Sequence, residues 1–177
     1  VTRISVAETN PSGMSFNNDG TKMFIIGYNS DYVLEYDLTT AFDVSSAVYA
    51  GSAERFYVRT QETFPHGLTF NNDGTKMYVI GSTGDDVNEY SLSTAFDVST
   101  ASYTQLFSVV SQESYPQGIT FNNDGTKMFV IGSGVDKVYE YSLGNPAVQT
   151  VCKNLPISYY TYYTTGATGI GTATDLP

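Results

Sequence analysis

The stretch FNNDGTKMFIIG, residues 16–27, decides the fold of this chain because it occurs three times with few changes. It returns as FNNDGTKMYVIG at residues 70–81 and as FNNDGTKMFVIG at residues 121–132, at spacings of 54 and 51 residues. A nearly fixed period of this length is typical of propeller and solenoid proteins. The repetition therefore predicts an architecture built from equivalent units.

Each copy of the repeat has the parts of a β-hairpin and its neighbours. The Asp-Gly pair lies between two β-forming runs, and its glycine can adopt the positive φ that a tight turn requires. The run after it, KMYVIG in the middle copy, is apolar at consecutive positions, which is typical of a strand covered on both faces. GLTF before the turn, and VNEYSL and YTQLFSVV after it, are further β-rich segments. Each unit is therefore predicted to hold four short antiparallel strands.

The sequence predicts an all-β fold of three β-propeller blades, each a four-stranded antiparallel unit of about 51–54 residues. The expected boundaries are about 1–56, 57–108 and 109–144, with RISVAE, residues 3–8, as a fourth strand that precedes the first complete unit. Closed propellers have about 4 to 8 blades, so these three are expected to be part of a larger propeller. We favour further blades before Val1; a dimer that completes a six-bladed ring is the alternative.

Composition and charge exclude some partners. The chain has 18 acidic and 8 basic residues and a net charge of −10, which repels phosphate backbones, so no nucleic acid partner is expected. No apolar run approaches the roughly 20 residues that cross a bilayer, so no membrane insertion is expected. The single cysteine, Cys152, excludes an internal disulfide framework. Abundant tyrosine and scarce lysine are common in secreted β-proteins, and we expect an extracellular or cell-surface location.

Two parts of the chain resemble known families. The unit PHGLTFNNDGTKMYVIGSTGDDVNEYSLSTAFDVSTA resembles a propeller repeat of secreted bacterial and phage proteins, and is more distantly similar to the Asp-Gly hairpin blades of TolB and YVTN-type propellers. This resemblance covers about residues 3–143 and implies a fold but no reaction. Residues 145–177 resemble the opening of an immunoglobulin-like module of large Bacteroidota cell-surface adhesins. That second resemblance implies a truncated β-sandwich-like segment, or a linker, with Cys152 unpaired.

His66 is the single histidine of the chain and the first candidate for chemistry. Nucleophilic catalysis needs a Ser, Thr or Cys beside a histidine that a carboxylate orients. His66 occupies the repeat position that Ser12 and Gln117 fill in the other units, directly before an inner strand. We therefore interpret it as a polar residue at the mouth of the channel, with a catalytic or metal-binding role as the alternative. No catalytic residue is predicted.

Acidic residues recur in the loops between second and third strands. The loops YNSDY, STGDD and SGVDK place Asp31, Asp85 and Asp136 at matching positions, with Asp86 beside the second of them. Carboxylate oxygens are the ligands that Ca²⁺ prefers, but none of these loops matches the calcium-binding loop of an EF-hand. We expect solvated turn residues and no cofactor, with Ca²⁺ as the alternative.

Three Lys–Glu pairs are predicted to lie diagonally across the second and third strands, where opposite charges stabilise the register by about 0.2–1 kcal/mol each. They are Lys22 with Glu35, Lys76 with Glu89, and Lys127 with Glu140. Their recurrence in every unit favours a structural role.

The leading functional hypothesis is a non-enzymatic propeller segment of a large secreted or cell-surface bacterial protein. It would serve adhesion, bind a glycan, a protein or neighbouring domains of the same long chain, or act as a rigid spacer. A hydrolase- or lactonase-like propeller enzyme is the first alternative, by fold analogy, and a phage adhesin component is the second. Any ligand is expected at the rim where the loops between fourth and first strands meet those between second and third strands. The candidate ligand-binding residues are Ser12, Tyr28, Asn29, Asp31, Tyr32, His66, Thr83, Asp85, Asp86, Gln117, Asp136 and Lys137.

Overall fold

The computed structural model describes residues 1–143, which fold into three antiparallel β-sheets of a propeller. The predictions for residues 145–177, including the immunoglobulin-like resemblance, lie outside the described residues. Within residues 1–143 no helix has the length and hydropathy needed to span a bilayer. The prediction of an all-β propeller fold is confirmed.

Each sheet is one blade, and its strands follow one another in chain order. Blade 1 contains β1 (Pro11–Phe16), β2 (Lys22–Gly27), β3 (Tyr32–Leu38), β4 (Ala47–Tyr49) and β5 (Arg55–Tyr57). Blade 2 contains β6 (Pro65–Phe70), β7 (Lys76–Gly81), β8 (Asp86–Leu92) and β9 (Ala101–Ser108). Blade 3 contains β10 (Pro116–Phe121), β11 (Lys127–Gly132) and β12 (Val138–Ser142). Short 3₁₀ turns at Val44–Ser46 and Val98–Thr100 precede β4 and β9.

The fourth strand departs from the prediction in blade 1. In blade 2 it is the continuous strand β9, but in blade 1 two short strands, β4 and β5, pair with different parts of β3. The residues between β4 and β5 include Gly51 at φ 110°, and the repeat spacing is three residues longer here, so the chain bulges out of the sheet. The fourth position is occupied, but by a broken strand.

Residues 3–8, which the sequence predicts as a strand, form none. A strand needs a backbone partner, and a fourth strand that precedes blade 1 has no third strand beside it among residues 1–143. Ile4 and Val6 nevertheless pack against the apolar face of blade 1. The apolar alternation is thus retained although the hydrogen-bonded ladder is missing.

The blades pack face to face along two apolar seams. In the first seam Phe24 and Ile26 of blade 1, both fully buried, contact Met77 and Val79 of blade 2. The rings of Phe24 and Phe70 meet across it with centroids 4.5 Å apart. The second seam joins blades 2 and 3 through the equivalent residues. Burial on both faces explains why the β2, β7 and β11 segments are continuously apolar.

The outer face of blade 3 lacks such a cover among the described residues. Ile131 is 51% exposed there, whereas its equivalents Ile26 and Ile80 are fully buried. Val138 on the same face is 64% exposed, against 3% for Val87. The same residue types therefore differ in burial only because of their place in the array.

The inner strands β1, β6 and β10 lie side by side and bring Ser12, His66 and Gln117 to one end of the blades. Ser12 Oγ donates to the carbonyl of Pro65 at 2.8 Å. A Cβ atom on Gly13 would lie 2.6 Å from the carbonyl oxygen of His66, so this glycine permits the close approach of β1 to β6. The candidate site lies at this end of the inner strands.

Candidate functional site

The candidate site is the rim, which we define as residues 8–12, 28–31, 58–66, 82–86, 109–117 and 133–137. Loops that lead into the inner strands β6 and β10 lie here beside loops that leave β2 and β7. Val58 N donates to the carbonyl of Asp31 at 2.9 Å, and Val109 N donates to that of Asp85 at 2.9 Å. The same backbone hydrogen bond therefore joins the two kinds of loop in both blades and holds them in the same relative position.

A buried glutamate ties the rim loops together in each blade. Glu62 is fully buried, and its Oε1 accepts from Phe64 N at 2.6 Å and Thr83 N at 3.2 Å. Glu113 accepts from Gly134 N at 2.7 Å, and Glu8 accepts from Ser30 N at 3.1 Å, in the same manner. A carboxylate that accepts backbone N–H groups forms strong, charge-assisted hydrogen bonds. These glutamates therefore hold the rim in place.

These three glutamates were not among the predicted residues, although the sequence carries a signal for them. Each lies three residues before the proline that opens an inner strand, in ETNP, ETFP and ESYP. The glycine at the end of the second strand, Gly81 in blade 2, lies against the buried glutamate. A Cβ on Gly81 would lie 2.4 Å from Glu62 Cδ and 2.4 Å from the carbonyl oxygen of Phe64. Only glycine leaves room for the carboxylate.

Four rings form a continuous cluster across the rim. Tyr28 stacks on Phe64 with centroids 5.7 Å apart and planes 18° apart. His66 lies 6.4 Å from Tyr28 and 5.4 Å from Tyr115, centroid to centroid. Tyr28, Phe64 and Tyr115 are 41%, 50% and 42% exposed, so they present apolar surface to solvent. We call these four residues the ring cluster.

The ring cluster combines predicted and unpredicted residues. Tyr28 and His66 were predicted as candidate ligand-binding residues, and the structure brings them together. Phe64 and Tyr115 were missed because each stands alone in a loop, immediately before the proline of an inner strand. Their shared position in the repeat was the available signal.

His66 has a hydroxyl within hydrogen-bonding distance. Its Nε2 lies 3.1 Å from Ser82 Oγ. Burial lowers the pKa of His66 from its ordinary value of 6.5, and the negative charge of Glu62 opposes that shift. The imidazole is therefore neutral at pH 7 and able to accept a proton.

We expect the pKa of His66 to lie below 6.5 in the folded chain. Because the charged form is disfavoured by burial, the folded state binds the proton less well than the unfolded state. The stability contribution of this group is therefore complete above pH 6.5 and is lost as the pH falls from 6.5 through the lowered pKa. Imidazole ¹H–¹³C NMR tests this directly, since the chain has one histidine. A pKa at or above 6.5 would contradict the burial argument.

The recurring loop aspartates are turn residues in the structure, but the prediction that they are solvated is wrong for Asp31 and Asp86, which are 1% and 8% exposed. Asp31, Asp85 and Asp136 all have positive φ, at 58°, 50° and 54°. Asp and Asn tolerate this left-handed conformation better than other side-chain-bearing residues. Their recurrence is therefore explained by backbone geometry, and a ligand-binding role for them stays a prediction.

Asp31 and Asp85 differ in their partners. Asp31 is 1% exposed, and its Oδ2 accepts from Arg59 at 2.7 Å. In blade 2 the position of Arg59 is taken by Val110, so Asp85 lacks the arginine contact. Oδ1 of both aspartates is buried without a hydrogen-bond partner among the described residues. Burial raises the pKa of Asp85, and the nearby charges of Glu62 and Glu113 raise it further.

Asp85→Asn is expected to raise the melting temperature at pH 7 by about 2 °C, because it removes an uncompensated charge. The pKa of Asp85 is higher in the folded chain than its ordinary value of 3.8 in the unfolded chain. The protonated carboxyl group is therefore favourable to folding below pH 3.8, and the folded chain loses stability as the pH rises from 3.8 through the folded pKa. The gain should therefore vanish at about pH 3. Asp31→Asn is the matched control and should lower the melting temperature, because it breaks the contact with Arg59. Equal effects of the two variants at pH 7 would contradict this account.

The other predicted residues make no ring contact with the ring cluster. Tyr32 packs on Tyr57 with centroids 4.9 Å apart and lies beneath the guanidinium of Arg55. Asp86 is 8% exposed and accepts from Asn88 Nδ2 at 2.7 Å. The remaining predicted residues are exposed at the rim or at the equivalent loop of blade 3: Ser12, Asn29, Thr83, Gln117, Asp136 and Lys137.

The structure does not gather the loop aspartates into a metal site within residues 1–143. The carboxylates whose oxygens lie within 4.8 Å of one another there are Glu35, Glu54 and Asp97. Glu35 is already engaged, because it accepts from Lys22 and, at 3.3 Å, from Val98 N. Its ion pair is one of the three predicted across the strands, and all three are confirmed.

A second opening lies at the opposite end of the inner strands. It is a cavity of about 200 Å³ near the Asp-Gly turns, and its polar lining includes Ser15, Thr69 and Thr120. Asn18 and Asn72 donate from one turn to the next along its edge. These contacts join successive blades, so we assign them to architecture.

Comparisons with known proteins identify similar folds. No family model and no curated protein matches this chain. A candidate 6-phosphogluconolactonase from Bacteroides uniformis is 18% identical, with 77% of this chain and 37% of that chain covered and a TM-score of 0.57. A second one, from Bacteroides fragilis, is 18% identical over 75% of this chain and 37% of that chain, also with a TM-score of 0.57. A luciferin-regenerating enzyme is 17% identical over 72% and 39%, with a TM-score of 0.52.

These similarities correct the leading functional hypothesis. The chain spans less than half the length of these three structures, and at this identity the likeness shows the propeller fold alone. The similar propellers are nevertheless named as enzymes. These names contradict the prediction of a non-enzymatic adhesion module or spacer, and with it the prediction that the chain is no enzyme. The enzyme alternative, which the names of these propellers favour, is carried forward as a proposal.

Proposed function

We propose that this chain is part of a propeller enzyme that hydrolyses a lactone or another ester at the rim. The observation that carries the proposal is the contact between His66 Nε2 and Ser82 Oγ, at 3.1 Å, beside the ring cluster. A histidine that is neutral at pH 7 and has an oriented hydroxyl neighbour is a suitable general base. The names of the similar propellers support the same class of reaction.

In the proposed reaction His66 removes a proton from a water molecule as its oxygen attacks the carbonyl carbon. The bond between that carbon and the ring oxygen then breaks, and His66 returns the proton to the departing alkoxide. No external oxidant or cofactor is needed for this balance. Ser82 acts as a positioning residue that fixes the orientation of the imidazole.

Water is favoured over Ser82 as the nucleophile because of the surroundings of His66. Activation of a serine usually requires a third group that orients the base. Among the described residues no hydrogen bond links His66 to a carboxylate, and Glu62 interacts with it only through space. The ring cluster would hold the substrate over the imidazole by contact with its apolar surface.

The experiment is a pH-stat assay of the purified chain with glucono-δ-lactone, after subtraction of the spontaneous rate. His66→Gln is expected to lower kcat/KM by about 100-fold or more. Ser82→Ala should lower it by about 3- to 10-fold, and should alter the pH profile, because the imidazole loses its neighbour. The rate should rise with pH through the lowered pKa of His66.

The matched control is Ser133→Ala, at the position of blade 3 that corresponds to Ser82. Gln117 stands in blade 3 where blade 2 has His66, so this variant should keep the full rate. Unchanged activity in His66→Gln, or no enzymatic rate above the spontaneous one, would contradict the proposal.

We further propose an extracellular or cell-surface location. Low lysine content, abundant tyrosine and the resemblance of residues 145–177 to a cell-surface module support it. Fractionation of cells that express the intact gene, followed by detection with an antibody, tests this location. A dimer that completes a ring and contacts with neighbouring domains stay predictions.

A further inference from the structure

The rim has an unusual balance of charge and aromatic surface. Glu62, Asp85 and Asp86 lie at or beneath it in blade 2, and Glu8 and Glu113 occupy the equivalent positions of the neighbouring loops. Five carboxyl groups thus belong to the loops and strand ends that carry the ring cluster. The local field at this end of the blades is negative, in line with the net charge of −10.

Cations that could offset this field are already paired. Arg59 is held by Asp31 at 2.7 Å. In each blade one lysine lies on the second strand and forms an ion pair with a glutamate of the third strand. Among residues 1–143 the rim retains Lys137 as a cation without a carboxylate partner, in the loop of blade 3. Recognition of a phosphate group ordinarily uses several positive side chains or a cluster of backbone N–H groups.

The exposed groups next to the rings are uncharged hydrogen-bonding groups. Gln117 and Asn29 make no side-chain hydrogen bond among the described residues and are exposed. Thr63 and Thr83 share a hydroxyl contact of 2.7 Å beside Phe64. Aromatic faces with amide and hydroxyl groups at their edges suit a ring that carries hydroxyl groups, because its C–H face packs on the aromatic ring while its hydroxyls reach the polar groups.

We propose that the ring cluster binds the uncharged, hydroxylated ring of a sugar-type substrate and discriminates against its phosphorylated form. The lactone or ester chemistry of that substrate rests on the proposed function, but the binding preference rests on the rings and charges alone. The preference differs from the phosphorylated substrate that the names of two similar structures imply for those proteins. Repulsion by the carboxylates is the physical basis of the discrimination.

The test compares methyl β-D-glucopyranoside with glucose 6-phosphate by titration of the single imidazole ¹H–¹³C signal of His66. We expect a saturable shift with the uncharged glycoside, with a Kd of about 1–10 mM, and binding of the phosphate at least about 10-fold weaker. Higher salt should reduce this difference, because it screens the repulsion. Equal or tighter binding of glucose 6-phosphate, a salt-independent difference, or no shift with the glycoside would overturn the proposal.

Variants locate the binding. Phe64→Ala should weaken binding of the glycoside by about 3- to 10-fold, the size expected for one aromatic contact, with little loss of stability because the side chain is 50% exposed. Tyr103→Ala is the matched control, since Tyr103 is 40% exposed on β9, away from the rim. Equal effects of the two variants would place the binding elsewhere and overturn the assignment.

The outcomes separate this inference from the proposed function. Binding of the glycoside without lactone hydrolysis would contradict only the proposed function. Hydrolysis of glucono-δ-lactone without discrimination against the phosphate would contradict only the inference about the substrate.

Discussion

Phe24→Ala is expected to lower the free energy of unfolding by about 3–5 kcal/mol, the range for removal of a fully buried phenylalanine. Phe24 lies in the first seam and packs on Phe70 with ring centroids 4.5 Å apart. The neighbouring seam residues belong to two β-sheets, which cannot collapse into the resulting cavity without moving a blade. Urea unfolding followed by circular dichroism measures the loss.

Phe129→Ala is the matched control for this substitution, because Phe129 is the equivalent residue of blade 3. It is only half-buried, on the face that the described residues leave without a following blade. We expect a loss of about 1 kcal/mol, since less apolar surface returns to water. Similar losses for Phe24→Ala and Phe129→Ala would show that the seam contributes nothing beyond the blade itself.

Gly74→Ala is expected to lower the free energy of unfolding by about 2–4 kcal/mol. Gly74 closes the Asp-Gly turn of blade 2 at φ 71°, which strains any side-chain-bearing residue by about 1–2 kcal/mol. A Cβ there would also lie 2.2 Å from Cδ2 of Phe96, which packs on Phe70. Displacement of that ring adds an overpacking cost of about 1–3 kcal/mol.

Gly125→Ala separates the two effects. Gly125 has nearly the same φ, 68°, but among residues 1–143 a Cβ there would have no atom within 4 Å apart from those of its chain neighbours. This variant should lose only the backbone term, about 1–2 kcal/mol. Thermal or urea unfolding of both variants measures the difference. Equal losses of unfolding free energy in the two variants would mean that the clash with Phe96 costs no stability and that the turn conformation explains the whole effect.

The seams also matter for the rim, because they set the relative positions of the rings. Tyr28 belongs to blade 1, His66 to blade 2, and Tyr115 to the loop that leads into blade 3. A shift of one blade by an ångström would separate Tyr28 from His66 and would move the imidazole relative to a bound ring. Phe24→Ala should therefore also reduce any rim activity at temperatures well below its melting point.

Local rules were enough to predict most of the strands and the three Lys–Glu pairs across them. The Asp-Gly turn fixes the hairpin, and the period of two along the following strands places Lys76 diagonally opposite Glu89, at 2.8 Å in the structure. These features depend on residues a few positions apart, whose geometry the backbone sets. Where the local rules failed, at residues 3–8 and between β4 and β5, pairing with a neighbour decided the outcome.

The repeated dodecapeptide alone was sufficient to establish an all-β propeller with Asp-Gly hairpins, because turn chemistry and alternation act over a few residues. The rim depended on packing between blades. Glu62, Phe64 and Tyr115 have equivalents in other repeats, but their position in the sequence does not show which side chains they meet. The contact of His66 with Ser82 forms because antiparallel β6 and β7 bring the start of one strand beside the end of the other. Distances between residues of different loops are set by the seams and the buried glutamates, and therefore only the tertiary structure shows which polar and aromatic side chains meet.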